Sequence, residues 1–295
     1  MKTCAACSQA LPKEKFSKKQ WQLKQCRRCK ECIAANCEAK SVEASLSCAD
    51  GEGALRCWSD EHLFKKPPPV DECPICMLPL PLEDEGQQYQ SCCGKVICQG
   101  CAYAVKMAGN KRNLCPFCRS PASTSDGEAI EWVKKRAKGD DAVATRNIGC
   151  YYCHGNYGLR QNYKKAMQLW LRAGELGNAR AYCNIGFAYH TGEGVERDEK
   201  KGKYYYELAA MGGDVNARYN LGCVEAQTGN VVRAMKHYMI SAGAGHDLSL
   251  KQIKECFMGG HATKDDFEMA LRAHKGAKDE MKSAQRETAA AARRK

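Results

Sequence analysis

The sequence predicts a mainly α, multidomain chain: an α-solenoid of helical hairpin repeats preceded by two small metal-stabilised cysteine modules. Three observations carry this reading. A self-similarity with spacings of 37 and then 36 residues fills the C-terminal half, as stacked hairpins require. Sixteen of the 21 cysteines precede Ser120, many in C-x-x-C pairs. Three consecutive prolines, Pro67 to Pro69, close a segment, WSDEHLFKKPPPV, that reads as a linker because polyproline cannot continue a helix. The 295 residues suffice for two or three modest domains. The boundaries expected are a basic N-terminal module over 1–40, a linker over 41–70, a second cysteine module over 71–121, repeats over 126–281 and a basic helical tail over 282–295.

The repeats align RNIGCYYCHG at 146–155 with CNIGFAYHTG at 183–192 and YNLGCVEAQTG at 219–229. Their apolar-Gly pairs are Ile148-Gly149, Ile185-Gly186 and Leu221-Gly222. A second periodic stretch follows each, closed by Gly177, Gly213 or Gly245, where a C-cap glycine is expected. The third unit lacks the GEGVERDE insertion of the second, and a degenerate fourth runs from Leu248 to about Met281. Tyr189, Tyr204 and Tyr206 read as core aromatics. The segment DGEAIEWVKKRAKG at 126–139 reads as a lone helix docked on the first hairpin. CYYCH at 150–154 fits the C-x-x-C-H haem pattern, but it overlies FAYHT of the next unit and so belongs to a packed helix. These units resemble the Sel-one-like branch of the tetratricopeptide superfamily, most specifically in NIGFAYHTGEGVERDEKKGKYYYELAAMGG. The resemblance covers about half the chain and implies a concave face that selects a protein substrate or adaptor.

The second cysteine module reads DECPICMLPLPLEDEGQQYQSCCGKVICQGC, thirteen further residues, then CPFCRSP. Eight thiolates make two four-ligand zinc sites. The order of pairs and gaps resembles the RING finger, in which the first and third pairs share one zinc and the second and fourth share the other. The resemblance therefore implies Cys73, Cys76, Cys98 and Cys101 for zinc one, and Cys92, Cys93, Cys115 and Cys118 for zinc two. Commoner RINGs place a histidine near Lys95, whose ammonium has no lone pair to offer. The all-cysteine RINGs of the deadenylase-associated ubiquitin ligase subunit supply the nearer likeness. Adjacent Cys92 and Cys93 depart from the family pattern. Either the backbone turns sharply there, at Gly94, or one of the two is a spare thiol.

A RING contributes no nucleophile; by resemblance it holds a ubiquitin-conjugating enzyme and its thioester in a reactive pose. Ile75, Val105, Pro116 and Arg119 match the positions that make those contacts. Val105 is smaller than the residue many ligases carry there. Ile75 alternatively covers a zinc knuckle, and Arg119 alternatively offsets the roughly −2 charge of a four-thiolate site. Two rivals stand beside the ligase reading: a non-catalytic scaffold for protein–protein interaction, and a nucleic-acid-binding regulator working through residues 1–40.

That N-terminal segment carries ten Lys/Arg against three Asp/Glu, more than half of the chain's formal +12. Cys4 and Cys7 form one ligand pair for a third zinc. The second pair is Cys29 and Cys32, or Cys26 and Cys29, and the cysteine left over reads with Cys37, Cys48 and Cys57 as part of another, irregularly spaced site. LPKEKFSKKQW resembles the fungal Stc-type zinc finger, a protein-docking module. Phe16 and Trp21 read either as bases' stacking partners or, more simply, as most of a small finger's core. No apolar leader opens the chain and no window approaches the ~18 apolar residues of a membrane span. Clustered C-x-x-C pairs then favour metal over disulfides, and the expected compartment is cytoplasm or nucleus.

Overall fold

A computed structural model describes residues 2–3, 10–11, 58–108 and 114–293 of the chain. It divides into two compact units, Met1–Leu55 and Arg56–Lys295. In the first, β1 (Lys2–Thr3) pairs antiparallel with β2 (Ala10–Leu11). The zinc ligands expected there, Cys4, Cys7, Cys29 and Cys32, lie outside the described residues, as do Cys26, Cys37, Cys48 and Cys57.

The second unit opens with a one-turn helix α1 (Asp60–Leu63) and continues into the cysteine module. There a 3₁₀ turn (Asp84–Gly86) leads into a short antiparallel hairpin, β3 (Gln87–Tyr89) against β4 (Val96–Cys98), and then α2 (Gln99–Met107). Next comes α3 (Asp126–Lys138), followed by four hairpins. They are α4 (Ala142–His154) with α5 (Tyr163–Glu175), α6 (Ala179–Thr191) with α7 (Glu199–Met211), α8 (Val215–Gln227) with α9 (Val231–Gly243), and α10 (Asp247–Met258) with α11 (Lys264–Met281). A last helix, α12 (Ala284–Arg293), ends the described chain.

Local chemistry sets these boundaries. Ser125, Asp141, Asn162, Asn178, Asp198 and Asp214 each accept the backbone N–H three residues on, opening α3 to α8. Each such cap contributes about 1 kcal/mol. Gly177, Gly213 and Gly245 adopt φ of +101°, +93° and +92° where three helices close, as their positions in the repeats predict.

The recurring apolar-Gly pair has a packing cause. A Cβ on Gly149, Gly186 or Gly222 would stand 2.6, 2.6 or 2.4 Å from Trp170, Tyr206 or Tyr238 of the paired helix. Only hydrogen leaves room for the ring, so the glycine on the first helix and the aromatic on the second are one device repeated three times. Tyr189 and Tyr206 are buried as expected and Tyr204 packs at the margin of the first core. Tyr205 also enters that core and stacks on Tyr189 at 5.9 Å. Cys153 of the haem-like motif is buried on α4. Val133 and Ala137 of α3 pack on Ala144 and Ile148 of α4, as the lone-helix reading requires.

One segment differs from its sequence reading, and another is helical as expected but packed. The linker's end is anchored: Leu63 is fully buried among Cys183, Tyr206, Ala209, Ala217 and Leu221. The prolines stop the helix, but the apolar Leu63-Phe64 pair before them finds the solenoid's core. The basic tail also packs, with α12 lying on α2 so closely that a Cβ on Gly100 would meet the Arg286 backbone at 2.7 Å. Among the described residues no helix is long and apolar enough to cross a membrane.

Candidate metal centre and its attachment to the repeats

The cysteine module is built from two matching loops and the hairpin between them. In the first, Met77 N–H donates to Cys73 O (2.8 Å) and Cys73 N–H to Leu78 O (2.9 Å); in the second, Arg119 N–H donates to Cys115 O (3.0 Å) and Cys115 N–H to Ser120 O (2.8 Å). Met77 and Arg119, each directly after the loop's second cysteine, both take φ of +57°. Each loop thus presents two sulfurs from a single turn.

The sulfurs converge in two groups, Cys73, Cys76, Cys98 and Cys101 and then Cys92, Cys93, Cys115 and Cys118, with the sulfurs of a group all within 4.8 Å of one another. Cys76 and Cys98 sulfurs lie 3.9 Å apart, and those of Cys93 and Cys115 3.6 Å apart. A tetrahedral ion with ~2.3 Å zinc–sulfur bonds would space its ligands ~3.8 Å apart, so the donor set fits zinc. Membership alternates along the chain, and an ion in each group would tie the two loops across the β3–β4 hairpin. The adjacent cysteines are reconciled by a turn. Cys93 and Gly94 N–H both donate to Gln90 O, at 3.1 and 2.7 Å, and Gly94 takes φ of +76°. Both sulfurs therefore reach the second group. Lys95 is exposed and outside it.

The thiols of each group do not titrate alike. Burial pushes the Cys73 thiol up, but the backbone N–H groups of Cys76, Cys98 and Ile75 outweigh it and hold it at about 7. Cys118, whose sulfur lies 3.3 Å from the Ser120 hydroxyl, is lowered to about 6 by that side chain and by the Ser120 amide. Cys92 and Cys101 are instead raised, by burial first and then by neighbouring sulfurs. Four thiolates this close repel one another, and a divalent cation offsets that repulsion. Arg286 of α12 adds a further positive group, with Nη2 3.6 Å from Cys76 Sγ and 3.5 Å from Leu78 O. Sequence reasoning missed Arg286, because nothing in QRETAAAARRK indicates that the tail returns to the first cysteine group.

The four residues matched to conjugating-enzyme contacts divide. Val105 and Pro116 line one cleft, which Trp132 of α3 also borders. Ile75 is 39% exposed beside Met77, and Arg119 is exposed on the second loop.

The module is bonded to the repeats at two places. Asp84 accepts from Arg146 of α4 (3.0 and 3.4 Å) and from Arg180 of α6. Arg136 of α3 donates to Cys92 O (3.3 Å) and to Asp141 (2.9 Å), and the Tyr89 hydroxyl donates to the same Asp141 carboxylate at 2.8 Å.

Comparison with known proteins places the repeats. The Sel1 repeat family matches residues 142–178 and 179–214, covering α4 to α7. Residues 142–214 therefore hold two Sel1 repeats, and the hairpins that follow them continue the solenoid expected from the 36–37-residue period. Two curated relatives from Arabidopsis thaliana are similar. One is the ERAD-associated E3 ubiquitin-protein ligase component HRD3B, 30% identical over 113 residues, or 38% of this chain and 18% of that protein. The other is component HRD3A, 38% identical over 63 residues, or 21% of this chain and 9% of that protein. This chain thus spans less than a fifth of the length of either. Among solved structures, a Sel1 repeat protein from Oxalobacter formigenes is 29% identical over 52% of this chain and 64% of that one, with a TM-score of 0.47. The Escherichia coli antigen c5321, described as having an SLR fold, is 22% identical over 63% of this chain and 38% of that one, with a TM-score of 0.46.

Proposed function

We propose that this protein is an interaction adaptor: a Sel1-repeat solenoid that holds a protein partner, joined to a zinc-braced cysteine platform that holds a second. The observation that carries this reading is the attachment of the platform to the repeats through Asp84 and its two arginines, supported by α12 on α2. Two docking surfaces on one bonded frame keep their occupants at a set separation, which is what an adaptor contributes to a reaction between them. The similarity to parts of two proteins named as components of a ubiquitin-protein ligase supports a setting in ubiquitin transfer.

A second reading makes the platform itself a RING-type ubiquitin-protein transferase that docks a conjugating enzyme. It draws on the interleaved cysteine groups together with exposed Ile75 and Arg119 and the cleft shared by Val105 and Pro116. Zinc, two ions in these groups, would supply a fixed scaffold and no chemistry of its own.

One experiment tests both readings. The full chain is incubated with ubiquitin, activating enzyme and a panel of conjugating enzymes, and autoubiquitination and conjugating-enzyme binding are both measured. The transferase reading expects product that falls at least tenfold in Ile75→Ala and in Arg119→Ala. Binding without product, weakened by Ile75→Ala, leaves the adaptor alone. Neither binding nor product with any enzyme overturns the ubiquitin setting for both.

A further inference from the structure

The segment before the prolines is held by the repeats in the manner of a bound peptide. Of residues 58–70, Leu63 alone is buried; Trp58, Phe64 and Pro67 are half-buried and the others exposed. The anchors are few and chemically distinct. Asp60 pairs with Arg233 and, at 3.7 Å, with Lys236, both from α9. The Leu63 side chain fills an apolar pocket formed by α6, α7 and α8, and Arg218 of α8 donates Nη1 to the Leu63 carbonyl at 2.5 Å. The Phe64 ring packs on His237 with centroids 4.7 Å apart, and Lys236 Nζ lies 5.1 Å from the Phe64 centroid.

The site beneath is built independently of its occupant. Glu225 is fully buried and fixes the position of Arg233 at 3.1 Å, with Asn230 Nδ2 at 3.0 Å and Lys203 Nζ at 2.8 Å on the same carboxylate. The repeats have their own cores on either side, around Trp170 and Ile185 and around Tyr238 and Ile253. By contrast α1 is a single turn, too short to persist without the surface it lies on. Arg218 Nε and both nitrogens of the fully buried His237 have no hydrogen-bond partner, so the segment leaves polar groups in the pocket floor unsatisfied.

We infer that the cleft bounded by α6 to α9 is a linear-motif site, occupied in cis by residues 59–64, and that its partner is a protein segment with the same spacing: a carboxylate, then Leu-Phe at the third and fourth positions after it. The acidic residue meets Arg233 and Lys236, the leucine fills the apolar pocket and the aromatic covers His237. The cis segment shields the pocket until a partner displaces it, and because it is tethered it competes at an effective concentration on the order of millimolar. The inference rests on the partner-holding role of the repeats proposed above and is independent of the zinc platform.

The test uses a fluorescein-labelled peptide of residues 58–69 and full-length protein. Leu63→Asp in the protein should open the cleft, and the peptide should then bind saturably and at least about tenfold more tightly than to wild type. The same peptide carrying Leu63→Asp should not bind. Equal or weaker binding by a folded Leu63→Asp protein overturns the proposal. Hydrogen exchange on the wild type keeps the question answerable if that variant fails to fold. Amides of 60–66 should exchange faster than those of α8 and α9, and faster still with excess unlabelled peptide. Exchange of 60–66 in step with α8 and α9, unaffected by peptide, overturns it too. Neither readout involves metal or ubiquitin, so a negative result leaves the platform's role standing.

Discussion

Replacing Asp84 by Asn should loosen the cysteine platform from the repeats. Asp84 accepts from Arg146 at 3.0 Å and from Arg180, on the first helices of two successive hairpins. Burial pushes its carboxyl up, but those two guanidinium groups outweigh this and hold it below the usual carboxylate range. A hydrogen bond to a charged group contributes ~1.5–3 kcal/mol. Asp84's own side chain is 56% exposed, so solvent screens the pairs and the lower end applies. Arg146 is only 13% exposed, and without Asp84 keeps Cys150 Sγ at 4.0 Å as its other hydrogen-bond partner. Together these give a loss of about 2–3 kcal/mol for Asp84→Asn at pH 7. Because the folded carboxyl titrates below its unfolded value, this contribution is present above pH ~4 and fades as the pH falls through the folded pKa. Urea denaturation of the full chain reads it, with Glu85→Gln, an exposed neighbour, as the control within about 0.5 kcal/mol. If Asp84→Asn and Glu85→Gln are indistinguishable, the contact does not hold the platform and the argument for a bonded frame fails.

Gly186→Ala would press a methyl into the Tyr206 ring at 2.6 Å, and the thermal midpoint should fall with a loss of about 1–3 kcal/mol. His237, lowered to about 3 chiefly by burial, stays neutral in the folded protein. The unfolded chain takes up that proton below pH ~6.5, so stability should fall as the pH drops from there toward 3. His237→Gln should flatten that slope in denaturation curves taken across pH, and an unchanged slope would count against a buried neutral ring. Gly94→Ala meets both a positive φ and the Arg136 guanidinium 2.4 Å away, so bound zinc should be lost at lower chelator concentration than from wild type, a shift read by a colorimetric zinc indicator.

What could be read from the sequence followed the range of each interaction. The repeats were legible because the Gly149–Trp170, Gly186–Tyr206 and Gly222–Tyr238 contacts recur at a fixed spacing and leave a periodic trace. The cysteine groups were legible because each pair is local, although their partition came through a family likeness. The doubled Cys92-Cys93 could not be resolved until the turn at Gly94 was seen. Contacts without period or motif left no trace. Arg286 reaches Cys76 across 210 residues and Arg218 reaches Leu63 across 155. The pairing of Asp60 with Arg233 looks, in one dimension, like ordinary solvated charge. The apolar Leu63-Phe64 pair was a visible signal in WSDEHLFKKPPPV, but the prolines beside it directed the reading toward a spacer.

The most direct test of the account is zinc-edge X-ray absorption on the purified full chain, paired with metal analysis of Cys93→Ser. All-sulfur fourfold coordination at ~2.3 Å, with Cys93→Ser binding about one zinc fewer than wild type, is the predicted result. Nitrogen in the first coordination shell, or a folded wild-type protein whose cysteines 73 to 118 carry no metal, would contradict it.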